Sequence, residues 1–231
     1  PKLLKNIPTP PKQLYAISDD LEKLLKMPRV AIVGSRKMTT YGRIITEKLA
    51  TDLANKEVVV VSGLAYGVDV CAQKAALNRG GKVIAVLAHG LDQIYPKAYT
   101  NLAKYIIKSR GAIISENDLG VPPRKFRFLE RNRIIAGLSE AIIITEAAEK
   151  SGSLNIAGHA IDQNKPVFAV PGNITSLMSA GTNNLIKSGA HPITSADDVL
   201  EALGIKQSAQ TSIPLATKKN EFIILNLINE G

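Results

Sequence analysis

The sequence predicts an α/β fold: a doubly wound, mostly parallel sheet with helices on both faces. Six short apolar runs, rich in β-branched residues, lack polar alternation, as strands buried on both faces of a parallel sheet do. Segments with helical spacing separate these runs. Hydrophobic residues make up 45% of the 231 residues, which is enough for one sizeable core.

The predicted strands are short runs that end in loops containing glycine or polar residues. They cover residues 30–33, 58–61, 83–88, 112–115, 141–145 and 167–170. The helix predicted over 43–54 repeats Ile45, Leu49 and Leu53 every fourth residue, and a second helix, over 68–78, stops before a pair of glycines.

Two further helices are predicted from their end signals. A helix over 95–110 should stop at Gly111, where glycine favours a left-handed cap. The last helix, over 195–203, begins with Ser195 as a cap and an acidic first turn, and stops at Gly204.

Composition changes along the chain predict four parts. Residues 1–26 are rich in proline and lysine and indicate an N-terminal segment or linker with one short helix over 19–26. A doubly wound α/β domain then covers 27–205. A polar linker follows over 206–220, and the helical pattern over 221–231 indicates the start of a truncated C-terminal domain. We therefore expect the chain to be a fragment of a longer protein.

Positive charge is concentrated in the first half of the chain. The formal net charge is +9, yet residues 1–133 hold 23 Lys and Arg against 11 Asp and Glu, whereas 134–231 hold 6 against 9. An uneven basic surface favours a polyanionic partner. The charge alone does not distinguish nucleotides, nucleic acid and anionic lipid.

Several classes of protein are not supported by the sequence. The single Cys71 rules out an intramolecular disulfide, and no metal-ligand spacing involves the histidines, so we expect no metal and no cofactor. The chain has neither an apolar run of transmembrane length nor a signal peptide, which predicts a cytoplasmic protein without membrane contact.

Residues 122–133, PPRKFRFLERNR, combine five cations with two phenylalanines and one acid. Cations can neutralise phosphates and rings can stack on unpaired bases, a combination suited to single-stranded nucleic acid. A solvated basic helix with two core phenylalanines is the alternative, and the segment alone favours it. The loops described next favour nucleic acid.

Four loops should meet at the carboxyl edge of the predicted sheet, where open α/β sheets bind ligands. Backbone N–H groups at glycine-containing strand–helix turns can bind phosphate. Steric demands of α/β turns also place glycine there, so each loop alone is a weak signal. The loops contain Gly34, Ser35 and Arg36; Ser62 and Gly63; Lys150, Ser151, Gly152 and Ser153; and Gly172 followed by Gly181, Thr182 and Asn183.

No catalytic residue is predicted, and we expect the chain not to be an enzyme. The patterns GxGxxG, GxxxxGK[ST] and GxSxG are all absent. Glu116 and Glu146 lie near strand ends, where a lone carboxylate is more often structural.

With these motifs assembled, the chain resembles the DprA/Smf family of DNA-processing proteins from about residue 30 to 203. The resemblance implies an extended Rossmann-like domain over 27–205 that binds single-stranded DNA, forms a homodimer, and helps load RecA during natural transformation or recombination. A winged-helix-like C-terminal domain is also implied, of which 221–231 would be the truncated start. The resemblance is carried by VAIVGSR (30–36), VVSGLAYGVD (60–69), FLERNRIIAGLS (128–139), EAAEKSGSL (146–154), VFAVPG (167–172) and GTNNLIKSGA (181–190).

Matched residue by residue, the resemblance implies a DNA pocket. Gly34, Ser35 and Arg36 would bind backbone phosphates, with Ser62 and Gly63 adding contacts. Lys125 would pair with a phosphate and Phe128 would stack on a base, whereas Phe126 is expected in the core. The far wall would be residues 150–153. Arg131, Asn132 and Arg133 either contact DNA or are structural; Tyr66 and Ile156 depart from the usual family residues.

A nucleotide-binding sensor or a phosphoribohydrolase of a related Rossmann-like family is the alternative function. Such hydrolases carry a PGGxGTxxE signature. Here Asn173 follows Gly172, and no glutamate stands at the catalytic position after Gly181 and Thr182. This absence argues against hydrolysis.

Overall fold

A mixed sheet forms the centre of the computed structural model, which describes residues 2–5 and 7–205. In the described residues its eight strands lie in the order β1-β5-β4-β3-β2-β6-β7-β8. Only β1 runs antiparallel, against β5. The strands are β1 Tyr15–Ile17, β2 Arg29–Val33, β3 Val59–Ser62, β4 Val83–Val86, β5 Ala112–Ser115, β6 Ala141–Ile144, β7 Val167–Ala169 and β8 His191–Pro192.

Helices cover both faces of the sheet, and the predicted fold class is confirmed. The chain forms α1 Lys2–Lys5, α2 Leu21–Leu24, α3 Thr40–Asn55, α4 Val68–Asn78, a 3₁₀ turn Lys97–Tyr99, α5 Thr100–Lys108, α6 Lys125–Leu138, α7 Leu154–Asp162, α8 Ala180–Lys187 and α9 Ala196–Ala202. Alternate residues of each strand pack into different cores: Val30 and Ile32 join α3, α4, α5 and α9, and Ala31 and Val33 join α6 and α7.

The order of the strands creates a crevice between β2 and β6. From β2 the chain builds β3, β4 and β5 on one side, and it then returns to place β6, β7 and β8 on the other. Val30 to Val33 of β2 pair in parallel with Ala141 to Ile144 of β6. Their following loops leave in opposite directions, which opens a space at the carboxyl ends of the two strands.

Part of the N-terminal segment pairs with the sheet, where the sequence predicts an entry segment or linker with one short helix over 19–26; the helix observed there is α2, Leu21–Leu24. Strand β1 pairs with β5, and Leu4, Ile7 and Leu24 are buried in the core. A three-residue strand is too short to show a periodic pattern. The prolines of the N-terminal segment indicate only turns. The predicted linker 206–220 and C-terminal domain start at 221–231 lie outside the described residues.

The end of α5 differs from its prediction. Arg110, rather than Gly111, has the left-handed backbone, with φ of 57°. Gly111 is needed for close packing, because a Cβ there would lie 2.6 Å from the Val83 carbonyl oxygen. Both ends of α9 follow the prediction: Ser195 and Asp198 form a capping box at its start, and Gly204, just after its end, has φ of 64°.

Candidate nucleic-acid interface

A central cavity of about 820 Å³ opens at the crevice between β2 and β6. Its walls come from the loop after β2, the first half of α6, and the loop between β6 and α7. Most of the predicted site residues line it together: Gly34, Ser35, Arg36, Lys125, Phe128, Arg131, Asn132, Lys150, Ser151, Gly152 and Ser153.

The loop after β2 is held in place by its backbone. The Ser35 N–H donates to the Glu146 carbonyl at 2.7 Å, and the Ser35 carbonyl accepts from the Val68 N–H at 3.1 Å. A Cβ at Gly34 would lie 2.7 Å from the Glu146 carbonyl oxygen and 2.8 Å from the Val68 side chain. Gly34 therefore allows close packing of β6 and α4, and the exposed Arg36 is carried on a fixed backbone.

Both glutamates near the strand ends have structural partners. The Glu146 carboxylate accepts from the Thr39 N–H at 2.7 Å and from the Thr39 hydroxyl at 2.6 Å, at the start of α3. Glu116 forms a two-point ion pair with Arg133, at 2.8 and 2.6 Å. Neither carboxylate lines the cavity.

Helical spacing decides which α6 side chains reach the cavity. Lys125, Phe128 and Arg131 lie three residues apart, on one face of the helix, and all three line the cavity. Phe126 is two positions from Phe128, about 200° around the helix. The prediction that Phe126 is a core residue is wrong: it is 50% exposed, with the Arg127 guanidinium 5.2 Å from its ring centroid.

Arg131 lies beneath the cavity and is buried. Its Nη1 donates to the carbonyl oxygens of Gly63, at 3.0 Å, and of Val86, so it joins the ends of β3 and β4. Burial lowers the pKa of Arg131 to about 10, although nearby Asp69 opposes this shift, so it remains a cation at neutral pH.

The buried Asp69 carboxylate accepts from the Gly63 N–H at 3.0 Å. Burial raises its pKa, although the Arg131 charge and the backbone N–H groups act in the opposite direction. Because Asp69 on α4 and Arg131 on α6 both bind Gly63, they hold the loop after β3 to these two helices.

Three side chains surround the partly exposed ring of Phe128. The Arg36 and Arg131 guanidinium carbons lie 5.3 and 5.9 Å from its centroid, and the Tyr95 ring lies 6.1 Å away. Tyr95 also lines the cavity and is 49% exposed. No local sequence pattern marks Tyr95 as a site residue, because it lies in the long loop after β4 and reaches the cavity only in the folded chain.

The loop before α7 forms the far wall of the cavity. The Ser151 and Ser153 hydroxyls lie 2.8 Å apart, and Asn132 Nδ2 donates to Asn155 Oδ1 at 3.0 Å, which ties α6 to α7. A Cβ at Gly152 would meet no atom within 4 Å, so this loop is open towards the cavity.

Six predicted site residues do not line the central cavity. The Ser62 hydroxyl is buried and donates to the Ile32 carbonyl at 2.7 Å, Gly63 contacts Arg131, and Arg133 pairs with Glu116. The other three, around α8, are Gly181, Thr182 and Asn183.

The α8 residues support the loop after β7. A Cβ at Gly181 would lie 2.7 Å from the Ala148 carbonyl oxygen. The buried Thr182 hydroxyl donates to the Ser179 carbonyl at 3.0 Å, and the Asn183 amide exchanges two hydrogen bonds with the Gly172 backbone. In a sequence, glycine and small polar residues indicate that a loop makes close contacts. They do not indicate whether the contacted group is a ligand or the protein's own backbone.

Cations dominate the mouth of the cavity. Arg36, Lys37, Lys125 and Lys150 are exposed, and Asp69 supplies the only carboxylate of the described lining. No salt bridge within the described part of the chain involves these four cations. A concave site of one sign attracts anions strongly.

The described residues contain neither a helix long and apolar enough to cross a membrane nor a cluster of potential metal ligands.

Comparison with known proteins places this architecture among DNA-processing proteins. The chain is 48% identical to the DNA processing protein DprA of Streptococcus pneumoniae over 177 residues, which are 77% of this chain and 62% of that relative. A solved structure of the pneumococcal protein matches with a TM-score of 0.81 at 44% identity, covering 87% of this chain and 70% of that one.

A second solved structure comes from Helicobacter pylori and concerns the single-stranded DNA binding mode of DNA processing protein A. It matches with a TM-score of 0.77 at 39% identity, covering 88% of this chain and 92% of that one. The family model for DNA recombination-mediator protein A matches residues 1–204. This chain therefore belongs to the family of DNA recombination-mediator protein A, the DprA/Smf DNA-processing proteins.

Proposed function

We propose that this chain binds single-stranded DNA in the central cavity. The observation that carries the proposal is the position of Phe128, a partly exposed ring on the cavity wall with the exposed Arg36 guanidinium carbon 5.3 Å from its centroid. An aromatic ring can stack on any unpaired base, and neighbouring cations can neutralise the phosphates of the same strand. The H. pylori relative, which is described for its single-stranded DNA binding, supports the same ligand class.

The backbone of the strand would follow the exposed cations around the cavity. Arg36 and Lys125 line the cavity together with Phe128, and Lys150 lies on the far wall. Contacts to phosphates and to ring faces carry little sequence information, so binding should be nearly independent of sequence. A duplex would have to bend into a concave site, at a deformation energy of several kcal/mol or so.

Fluorescence anisotropy with matched single-stranded, duplex and mononucleotide ligands over a salt series tests this proposal. We expect a strong preference for the single strand and the steep salt dependence of phosphate contacts. Equal affinity for the single strand and the duplex at physiological salt would contradict the proposal, because a general polyanion surface would then suffice.

We further propose that the bound strand is passed to RecA and that the protein acts as a homodimer. The support is membership of a family described as recombination mediators. RecA filament formation on DNA coated with single-strand binding protein should accelerate when this chain is added. Light scattering should give twice the monomer mass; a monomer at micromolar concentration would contradict the dimer.

We propose that the cavity has no hydrolytic function, in contrast to a nucleotide-processing enzyme of similar fold. Asp69, the one carboxylate of the described lining, accepts a hydrogen bond from the Gly63 N–H. The Glu116 carboxylate is paired with Arg133, and the Glu146 carboxylate accepts a hydrogen bond from the Thr39 hydroxyl. AMP and ATP should remain intact in the presence of the protein; turnover that disappears on Glu146→Gln or Glu116→Gln would identify an enzyme.

A further inference from the structure

A second basic groove, of about 630 Å³, lies between α3 and α4. We call it the α3–α4 groove. Its lining includes the exposed cations Arg43, Lys74 and Arg79, with Glu47 as the only carboxylate of the described lining. Within the described residues these three cations form no salt bridge. The groove therefore has an excess of positive charge that nothing in the described fold neutralises.

The groove and the central cavity are adjacent. Three separate segments each line the cavity and then, within four residues, the groove. Lys37, Ala65 and Tyr95 line the cavity. Met38, Gly67 and Tyr99, which follow them by one, two and four positions, line the groove. The two spaces therefore share a wall, and a flexible chain can pass from one to the other without leaving the surface.

An exposed aromatic ring lies on this shared wall. Tyr66 stands between Ala65 of the cavity and Gly67 of the groove, and it is 48% exposed. Its ring packs edge-to-face against Tyr99, with centroids 5.2 Å apart and planes at 64°. This contact orients the Tyr66 ring on the surface.

The loop that carries Tyr66 is fixed to the DNA-binding loop. The Val68 N–H donates to the Ser35 carbonyl at 3.1 Å. Gly67 has φ of 77°, and a Cβ there would collide with the Ser35 carbonyl oxygen and lie 2.8 Å from Arg36. Tyr66 thus has a defined position relative to Arg36, as a second stacking ring on one continuous path requires.

We propose that a single strand bound in the central cavity continues over Tyr66 into the α3–α4 groove, where its phosphates contact Arg43, Lys74 and Arg79. The groove repeats the chemistry of the cavity, an exposed ring followed by unpaired cations, and this favours the same ligand over a protein partner. The inference rests on the proposed single-strand binding, and it extends that site by several nucleotides.

The test compares short and long oligo(dT) over a salt series. The short ligand is the shortest oligo(dT) that the wild-type protein binds, and the long ligand has a length of about 30 nucleotides. The triple variant Arg43→Ala/Lys74→Ala/Arg79→Ala should bind the short ligand like wild type and the long ligand more weakly. Its salt slope for the long ligand should fall by about 0.7 for each phosphate that the three side chains no longer neutralise.

A matched control separates a specific path from general charge. Lys12, Lys23 and Lys187 are exposed, form no salt bridge in the described part of the chain, and line neither space. Replacing these three lysines with alanine removes the same three positive charges' worth of net charge as the triple variant does. It should leave the difference in affinity between short and long oligo(dT) unchanged. Tyr66→Ala should weaken only the long ligand by about fivefold or more, and Tyr66→Phe should retain the affinity because the stacking face remains.

The outcomes distinguish this inference from the proposed function. A triple variant with the length dependence of wild type overturns the path through the groove, as does an equal loss in the lysine control. Arg36→Ala should weaken ligands of both lengths; if it binds both like wild type, the cavity proposal fails instead. Melting temperatures of all variants confirm that each is folded.

Discussion

The guanidinium carbon of Arg36 lies 5.3 Å from the centroid of the Phe128 ring, although the two residues are 92 positions apart in the sequence. Arg36 comes from the loop after β2, and Phe128 from the first turns of α6 on one face of the sheet. The contact brings an exposed cation and a partly exposed ring to the same point, where we propose that they bind a phosphate and stack on a base. The two side chains should therefore act on the same nucleotides.

Arg36→Ala should weaken single-stranded DNA binding for all sequences. Removing one phosphate-binding cation lowers the logarithmic salt slope by roughly 0.7 for single strands. Arg36→Lys should recover part of the affinity, because an ammonium keeps the charge but lacks the planar fork. Titrations at four or more salt concentrations measure the slope, and an unchanged slope and affinity would remove Arg36 from the site.

Phe128→Ala should lower single-strand affinity by about 1–3 kcal/mol, the loss expected when one base no longer stacks. Phe126→Ala is the matched control, since Phe126 is on the same helix and exposed on another face. It should change neither affinity nor melting temperature appreciably. A binding loss from Phe126→Ala as large as that from Phe128→Ala would place DNA on the outer face of α6.

Gly63→Ala should destabilise the protein by roughly 1–3 kcal/mol, as overpacking does. The new Cβ would lie 2.7 Å from Arg131 Cζ, and this buried guanidinium cannot move without losing its bonds to two carbonyls. Gly152→Ala is the control, because a Cβ there meets open space. Thermal unfolding of both variants tests the difference; equal melting temperatures would show that Arg131 relaxes freely.

Arg133→Ala should lower stability and leave single-strand affinity per folded molecule unchanged. Its two-point pair with Glu116 is mostly buried, and charged hydrogen bonds of this kind contribute roughly 1.5–3 kcal/mol. Glu116→Gln should destabilise in the same direction. Chemical unfolding and anisotropy on one preparation separate the effects, and a loss of affinity without a loss of stability would make Arg133 a DNA contact.

Cys71 should react slowly with thiol reagents in the native protein at pH 8. Burial, with a smaller effect from Glu47, raises the pKa of this thiol to about 11. Few thiolates are then present, so labelling should be on the order of a hundredfold or more slower than in denaturant. Equally rapid labelling of the native and the denatured protein would contradict the buried, protonated thiol.

The same raised pKa predicts the direction of a change in stability with pH. Above the ordinary thiol pKa of 9.0 the unfolded chain loses the proton first, whereas the folded chain keeps it up to about pH 11. The stabilising contribution is therefore complete below pH 9 and is lost as the pH rises through this window. Cys71→Ala should flatten that part of the stability profile.

The elements of the sheet could be predicted because each leaves a local signal. The central strands are continuous apolar runs, and the observed β5, Ala112–Ser115, has the predicted bounds. Strands β1 and β8 were missed, since three and two residues contain no period. The edges of the sheet thus depend on pairing partners distant in sequence, and no local pattern reveals them.

Local patterns in the sequence were enough to predict the alternation of strands and helices, the loops at one edge of the sheet, and the basic segment over 122–133, most of which lies in α6. It could do so because periodicity, glycine and charge act locally. The surroundings of the polar and aromatic side chains became visible only in the folded chain. Arg36 is exposed at the cavity, Arg131 supports it from below, and Arg133 is paired with Glu116. A side chain's role depends on the groups it meets, and those groups are brought together only by the order of the strands.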